Sequence, residues 1–209
     1  MPSRHSIADA AIAHAYDGRA AEYVSVGGTL EQMDERDRTV IAHWRDTTPG
    51  TLLDAGCGPG HWTAFLHAGH RTVSGVDLSP ALLASARSRF PHLSFEQASF
   101  RALPHEDGAL GGILAWYSLI HTPPADIPAV LAEFARLIEP GGSVLIGFFD
   151  GEAREEFAHA VTPAYFWSAD ALTAALAAAG FEVVSQERRE RAPDEISRRA
   201  HGHMVARRR

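Results

Sequence analysis

Glycine and acidic residues meet at one turn of this sequence in a pattern that suits nucleoside binding. Residues 52–60 combine an apolar, strand-like segment with Asp54 and with a G-x-G-x-G turn formed by Gly56, Gly58 and Gly60. Glycine lacks a Cβ atom, so the backbone can turn sharply there and a ligand can approach bare peptide groups. Helix-forming sequence follows at once, and the first N–H groups of a helix have no partner within it. The turn therefore predicts a site that faces free backbone donors.

A second acidic residue, Asp77, ends another strand-like segment, 72–77. It follows the turn by about 20 residues, the spacing at which a carboxylate binds the ribose hydroxyls of a nucleotide cofactor. Ser79 and Pro80 then give a helix start, with serine as the N-cap and proline at the first helical position. The glycine spacing differs from the G-x-G-x-x-G of dinucleotide folds, which weighs against a nicotinamide-dependent reductase.

Three segments in this order, 53–60, 75–79 and 137–142, resemble the motifs of the class I S-adenosylmethionine-dependent methyltransferases. The resemblance is close over residues 51–149 and is closest to the small-molecule methyltransferases of bacteria. It implies an α/β, Rossmann-like fold, with a mostly parallel seven-stranded sheet, helices on both faces and an antiparallel last strand beside the sixth. It also implies S-adenosyl-L-methionine as the cofactor.

The resemblance further implies which residues contact the cofactor. The glycine turn packs against its methionine part, Asp77 holds the ribose, and residues after the third strand contact adenine. Relatives commonly carry an aspartate at that third point, where this chain has Ser99. A hydroxyl accepts a hydrogen bond without charge, which leaves backbone groups or stacking on Phe100 to take over the adenine contact. The full set of expected cofactor contacts is Asp54, Gly56, Cys57, Gly58, Gly60, Asp77, Leu78, Ser99, Phe100 and Trp116.

The methyl acceptor is predicted less fully. Transfer from a sulfonium is an in-line displacement that gains much of its rate from positioning and desolvation, so a dedicated base is not required. The best candidate for a base is His121, just past the fourth strand, because an imidazole can take a proton near neutral pH. A histidine in an apolar run is often simply a hydrogen-bonded structural residue, and both interpretations stay open. Tyr117 is the second catalytic candidate. The predicted acceptor contacts are Tyr16, Tyr23, Tyr117, His121, Phe149 and Tyr165.

Strand-like and helix-like segments alternate along the chain, which predicts a parallel sheet covered by helices. The predicted strands are 51–55, 72–77, 93–98, 111–116, 143–149, 181–186 and 203–206. The predicted helices are 31–45, 61–68, 80–90, 127–137 and 169–179, and residues 190–202 are poorly patterned. We expect a single domain over 1–209, made of an N-terminal helical lid (1–45), a cofactor-binding core (51–150) and a C-terminal helix with strands (151–209).

Composition limits the class of protein. The chain has 209 residues, a net charge of -7 and a single cysteine, Cys57. A chain of this length can bury one core without disulfides or metal. No apolar run reaches the ~20 residues of a membrane span, and the first residues lack the apolar core of a secretory signal. We therefore expect a cytoplasmic protein, monomeric or homodimeric, without a membrane partner.

We expect neither a metal site nor a nucleic-acid partner. The twelve histidines form no metal-binding signature. Residues 122–125 share only two prolines with the loop of base-methylating enzymes, and the negative net charge disfavours phosphate backbones. The sequence predicts an enzyme that moves the methyl group of S-adenosylmethionine to an oxygen or nitrogen of a small-molecule acceptor. The alternatives are a protein that binds the cofactor without methyl transfer, a nucleic-acid methyltransferase and the nicotinamide-dependent reductase.

Overall fold

A seven-stranded sheet and a separate two-stranded hairpin form the β-structure of the described chain. A computed structural model describes residues 4–190 and 199–209. The sheet order is β3-β2-β1-β4-β5-β9-β8, and β6 pairs with β7. The strands are β1 Leu52–Ala55, β2 Val73–Asp77, β3 Ser94–Gln97, β4 Leu110–Trp116, β5 Ile138–Asp150, β6 Glu156–Phe157, β7 Ala164–Tyr165, β8 Phe181–Arg189 and β9 Ala200–Arg208.

The large sheet is parallel except for β9. Strand β1 pairs in parallel with both β2 and β4, whereas β9 is antiparallel to β5 and to β8. The predicted fold class is confirmed, including the antiparallel last strand beside the sixth strand of the sheet, which is β8. The order of strands reverses between β1 and β4. Ligands of open α/β sheets bind outside the carboxyl ends of the strands at such a point.

Helices cover both faces of the sheet. Those within the described ranges are α1 Arg4–Asp17, α2 Ala20–Gly27, α3 Glu35–Thr47, α4 His61–Leu66, α5 Pro80–Arg89, α6 Ile127–Leu137 and α7 Ala169–Ala178. Helix α5 starts as the sequence predicts, because the Ser79 hydroxyl accepts the N–H of Leu82 and Pro80 occupies the first turn. These caps fix where the helix begins, and so fix the loop that joins it to β2.

Two apolar clusters lie on opposite faces of the sheet. Neighbouring residues of a strand point to opposite faces. Leu53 and Ile113 therefore belong to the cluster under α6 and α7, whereas Leu52 and Leu114 belong to the cluster under α3 and α4. Strands that are buried on both faces have continuous apolar runs, and these runs are what the sequence shows. Packing in the two clusters fixes the positions of the strand ends, and the site residues lie at those ends.

Some boundaries differ from the predicted ones. The helix predicted over 31–45 begins at Glu35, because Asp34 caps it by accepting the N–H of Arg36, and Leu30–Gln32 forms a separate turn of 3-10 helix.

Strands β8 and β9 are longer than predicted because they pair with each other along most of their length. Within the poorly patterned stretch, residues 191–198 lie outside the described residues, and 200–202 already belong to β9. The hairpin β6–β7 was not predicted, since two-residue strands have no readable period.

Candidate functional site

A large cavity opens at the carboxyl ends of the parallel strands, at the reversal between β1 and β4. Its walls come from α1, the turn after β1, the segments that follow β2, β3 and β4, and the end of β5. It contains about 1100 Å³ of space not filled by atoms, part of which is open to solvent. Because that space includes open solvent, the lining residues and not the volume indicate which ligands the cavity can hold.

Gly56 and Gly58 line the cavity with positive φ angles of 82° and 52°. At Gly56 a Cβ would lie 2.3 Å from the Cβ of Ser118, so a side chain has no space there. At Gly58 a Cβ would meet only Tyr23 within 4 Å, at 3.7 Å. Gly58 therefore leaves free space beside the backbone, of the kind that a bound ligand fills.

Cys57 and Gly60 belong to the same turn but are not among the residues that line the cavity. A Cβ at Gly60 would lie 2.9 Å from the ring of Phe95, so this glycine allows the turn to pack against β3. Cys57 is buried, and burial raises the pKa of its thiol, as do the nearby carboxyls of Asp54 and Asp77. Its thiol is thus a buried apolar group, and its part in the site is to shape the turn.

Asp77 lines the cavity and ties its two sides together. Its Oδ2 accepts the N–H of Gly58 at 2.9 Å, and its Oδ1 accepts the N–H of Ser79 at 2.8 Å. Burial raises the pKa of this carboxyl, while the N–H groups of Ser79, Gly58 and Leu78 act to lower it. The carboxylate therefore holds the turn after β1 against the start of α5, where Leu78 also faces the cavity.

Asp54 lies behind the turn and does not line the cavity. Its side chain is buried and accepts a hydrogen bond from Thr63 Oγ1 at 2.7 Å. Burial raises the pKa of Asp54 to about 7, the Thr63 hydrogen bond acts against the rise, and Asp77 adds to it. Asp54 thus supports α4 under the turn.

Three more of the expected cofactor contacts, Ser99, Phe100 and Trp116, line the cavity. The Ser99 hydroxyl donates a hydrogen bond of 2.6 Å to Asp9 Oδ2, a residue of α1. The ring of Trp116 packs near Trp62, with 6.5 Å between ring centroids, in the cluster under α3 and α4.

His121 is buried at the cavity wall, with both ring nitrogens engaged. Its Nδ1 lies 2.8 Å from the carbonyl oxygen of Pro163, which can only accept, so Nδ1 carries the proton of the neutral ring. Nε2 then accepts the hydroxyl of Tyr16 at 2.9 Å. Burial lowers the pKa of His121, and the Pro163 carbonyl acts against this. The result is a neutral imidazole whose basic nitrogen is held by Tyr16.

The other predicted acceptor contacts divide into two groups. Tyr16, Tyr23, Tyr117 and Phe149 line the cavity. Tyr117 has a φ of 53°, rare for a residue with a side chain, and its hydroxyl lies 2.6 Å from Nδ1 of His201 on β9. Tyr165 does not line the cavity, because its hydroxyl reaches Glu156 across the β6–β7 hairpin at 3.2 Å.

Several lining residues were not predicted. A readable signal existed on α1, where the unpredicted residues Asp9, Ile12 and Ala13 precede the predicted Tyr16 at the i, i+3, i+4, i+7 spacing of one helix face. His159 had no such signal, since the loop of the β6–β7 hairpin brings it beside His121, with 5.0 Å between ring centroids. The remaining lining residues outside the predicted contact sets are Ser79, Leu82, Arg101, Ser118, Ile120, Thr122 and Val130.

Residues 4–190 and 199–209 contain no group of three or more His, Cys, Asp or Glu side chains that could hold a metal ion. In the same ranges, no helix has the combined length and apolar character that crossing a membrane requires.

A family model described as a methyltransferase domain matches residues 52–142, which span the glycine turn, Asp77 and the strands around the cavity. Residues 52–142 match a methyltransferase domain of the class I S-adenosylmethionine-dependent type. The matched residues include Gly56, Gly58 and Asp77 of the cavity wall.

Curated relatives are similar over part of their length. The chain is 29% identical over 153 residues to a malonyl-[acyl-carrier protein] O-methyltransferase of Erwinia billingiae, covering 73% of this chain and 59% of the relative. It is 33% identical over 139 residues to a trans-aconitate 2-methyltransferase of Methylobacterium nodulans, covering 62% of this chain and 49% of the relative. The chain thus spans about half to three fifths of the curated relatives that it matches.

One solved structure shares the fold over almost the whole chain. The [4+2]-cyclase SpnF superposes with a TM-score of 0.78 at 19% identity, covering 99% of this chain and 97% of that one. At this identity the likeness concerns the fold alone.

Proposed function

We propose that the protein transfers the methyl group of S-adenosylmethionine to an oxygen or nitrogen atom of a small-molecule acceptor. The observation that carries the proposal is the joining of two kinds of wall in one cavity. Gly58 and Asp77 form a polar, backbone-rich wall, while Tyr16, Tyr117 and His121 form an aromatic one. A methyl donor and its acceptor must lie in one such space for an in-line displacement.

The residues of the first wall fit the cofactor. Gly58 leaves free space beside its backbone, and Asp77 presents a carboxylate at the edge of that space. A carboxylate at this strand end can accept hydrogen bonds from ribose hydroxyls. We infer that Gly56 and Gly58 hold the methionine part and Asp77 the ribose. When bound, S-adenosylmethionine supplies a methyl group on a positively charged sulfur.

The residues of the second wall position the acceptor. Tyr16, Tyr23 and Phe149 surround the space with aromatic surface, and α1 covers it. Such walls exclude water and hold an acceptor in line, which supplies much of the rate of a displacement. The aromatic lining favours a small acceptor with apolar or aromatic surface.

A route for proton removal exists beside this wall. Because Nδ1 of His121 donates its proton to the Pro163 carbonyl oxygen, Nε2 is the basic atom of the ring. The Tyr16 hydroxyl donates to this Nε2 at 2.9 Å. A proton from the acceptor reaches His121 through the Tyr16 hydroxyl, or directly once that hydroxyl has moved. We assign His121 as the general base on these grounds and Tyr117, whose hydroxyl is held by His201, as a wall of the acceptor site.

A second candidate function is binding of the cofactor without methyl transfer. The specific observation that favours it is the whole-chain fold likeness to the [4+2]-cyclase SpnF, a protein named for a reaction other than methyl transfer. Both functions require the wall formed by Gly58 and Asp77, and they differ only in whether S-adenosylhomocysteine is released.

The test combines binding with product release. Calorimetry measures S-adenosylmethionine binding, and release of S-adenosylhomocysteine is followed across a panel of phenols, amines and carboxylic acids. Gly58→Ala is expected to weaken binding by about 10- to 100-fold, since overpacking costs about 1–3 kcal/mol. Gly141→Ala is the matched control, because Gly141 also has a positive φ, 86°, with no atoms within 4 Å of an added Cβ.

The outcomes separate the two candidates. Binding that Gly58→Ala weakens and Gly141→Ala leaves intact, with S-adenosylhomocysteine released in the presence of an acceptor, supports the methyltransferase. Binding with no release across the panel favours the binding protein. Absence of binding to the unmodified protein contradicts both.

A further inference from the structure

One face of helix α1 contributes four residues to the cavity wall. Asp9, Ile12, Ala13 and Tyr16 all line it. Tyr16 reaches the acceptor side through His121. Asp9 lies almost two turns earlier on the same face, so it reaches the opposite end of the cavity. The helix therefore touches both halves of the site.

Asp9 makes its contacts at the carboxyl end of β3. Its Oδ2 accepts the hydroxyl of Ser99 at 2.6 Å, and its Oδ1 accepts Nε–H of Arg101 at 3.3 Å. Arg101 pairs on its other side with Asp126 at 3.2 Å, and its Nη1 is buried with no hydrogen-bond partner among the described residues. A ligand acceptor atom is what such a donor lacks.

The surroundings of this pair are apolar. Ile12, Leu78, Leu82, Phe100 and Val130 line the same cavity. Apolar walls with a polar edge suit a purine ring, whose faces are apolar and whose edge carries hydrogen-bonding groups. Adenine offers an amino donor next to a ring nitrogen acceptor. A carboxylate and a guanidinium N–H side by side complement these two groups.

We propose that Asp9, carried by α1, recognises the exocyclic amino group of the bound adenine, with Nη1 of Arg101 donating to a ring nitrogen. The proposal rests on the proposed function, since it takes the nucleoside to be that of S-adenosylmethionine. Ser99 has no charge of its own, and the structure supplies a carboxylate from α1 at the same place. Recognition of the base is thereby linked to the seating of α1 over the cavity.

The test exchanges the group that Asp9 recognises. S-Inosylhomocysteine carries a carbonyl oxygen in place of the adenine amino group, so it presents an acceptor where S-adenosylhomocysteine presents a donor. Calorimetry compares the two compounds on the unmodified protein, on Asp9→Asn and on Asp170→Asn. Asparagine keeps the shape of Asp9 and can both donate and accept, whereas Asp170 lies in the first turn of α7, outside the residues that line the cavity.

We expect the unmodified protein and Asp170→Asn to bind the adenosyl compound about 30-fold or more tightly than the inosyl compound, because a carboxylate repels a carbonyl oxygen. Asp9→Asn should reduce this preference to within a few-fold. A thermal unfolding midpoint close to that of the unmodified protein shows that Asp9→Asn is folded.

Two results would overturn the assignment. If Asp9→Asn keeps the full preference, or weakens both compounds equally, Asp9 only holds Arg101 and α1 in place. If the unmodified protein binds neither compound, the proposed function itself fails, and this inference fails with it.

Discussion

At the scale of single residues, one imidazole has a defined tautomer and a defined environment. Pro163 accepts from Nδ1 of His121, so the basic lone pair lies on Nε2, against the Tyr16 hydroxyl. From its sequence position, His121 has two interpretations, a base or a structural histidine. Its two hydrogen bonds hold the ring in place, and the tautomer that they fix is the one that a base at this wall requires.

We expect His121→Asn to lower kcat by about 10²- to 10⁴-fold with an acceptor whose hydroxyl or ammonium must lose a proton. Asparagine can still donate to Pro163 but has no basic nitrogen. Because burial lowers the pKa of His121, the unmodified enzyme should keep its rate as pH falls through the ordinary histidine value of about 6.5, and lose it only at lower pH.

His43→Asn is the control for this change, since His43 is exposed on α3. The measurement is the pH dependence of kcat for both variants. A pH profile and a turnover number unchanged in His121→Asn would leave positioning as the sole source of rate.

At the scale of elements, α1 is held by polar contacts near its middle and at its C-terminal end. Asp9 contacts Ser99 after β3. Asp17, the last residue of α1, accepts the Ser79 hydroxyl at 2.5 Å and the N–H of Ala81 at 3.0 Å. A helix start leaves N–H groups without partners, and here a carboxylate from another helix satisfies one of them. Helices α1 and α5 are thus tied together over the cavity.

Replacing Asp17 by alanine should loosen this connection. We expect Asp17→Ala to cost about 1 kcal/mol, the usual value of a lost helix cap, and to lower the Tm by about 2–4 °C. Amide hydrogen exchange in α1 should become faster while the central strands keep their protection.

Asp46→Ala serves as the comparison, because Asp46 is exposed and pairs only at the surface with its neighbour Arg45. Equal exchange rates for α1 in Asp17→Ala and in the unmodified protein would show that apolar packing alone seats the helix.

At the scale of the whole molecule, the strand order determines which residues come into contact. The reversal between β1 and β4 opens the cavity, and the insertion of β9 between β5 and β8 brings His201 to Tyr117. The same packing buries Asp54 under the glycine turn, where desolvation raises its pKa to about 7. The fold therefore carries a carboxyl group that prefers its proton, and its stability should depend on pH.

The sign of this dependence follows from proton binding. An unfolded aspartate has a pKa of about 3.9, so between pH 4 and 7 the folded state holds a proton that the unfolded state has released. The contribution of Asp54 to stability is present at low pH and is lost as pH rises toward 7.

Between pH 5 and pH 7 we expect the free energy of unfolding of Asp54→Asn to rise by roughly 2 kcal/mol relative to that of the unmodified protein. Asparagine can keep the hydrogen bond from Thr63. The measurement is thermal unfolding of the ligand-free protein at both pH values, where this corresponds to about 4–8 °C in Tm. Glu182→Gln, an exposed position on β8, is the control. A difference that does not change with pH would mean that Asp54 titrates in the ordinary range.

The sequence alone determined the local features of this protein. The glycine turn, Asp77 and the Ser79 cap depend on neighbouring residues, and the structure has Ser79 as the N-cap, Asp77 at the end of β2 and the fold class as expected. Local pattern suffices there because a turn, a cap and a strand end are set by steric and hydrogen-bonding rules over a few residues.

Only the tertiary structure decided which residues share the cavity. Gly60 and Asp54 stand in the same motif as Gly58, yet they face the core, while Asp9 and His159 come from distant segments and face the ligand space. Tyr165 was predicted as an acceptor contact together with the other tyrosines, but it lies on the β6–β7 hairpin and its hydroxyl contacts Glu156. Strand order and helix docking bring such residues together or apart over long chain separations, and no local spacing encodes that outcome.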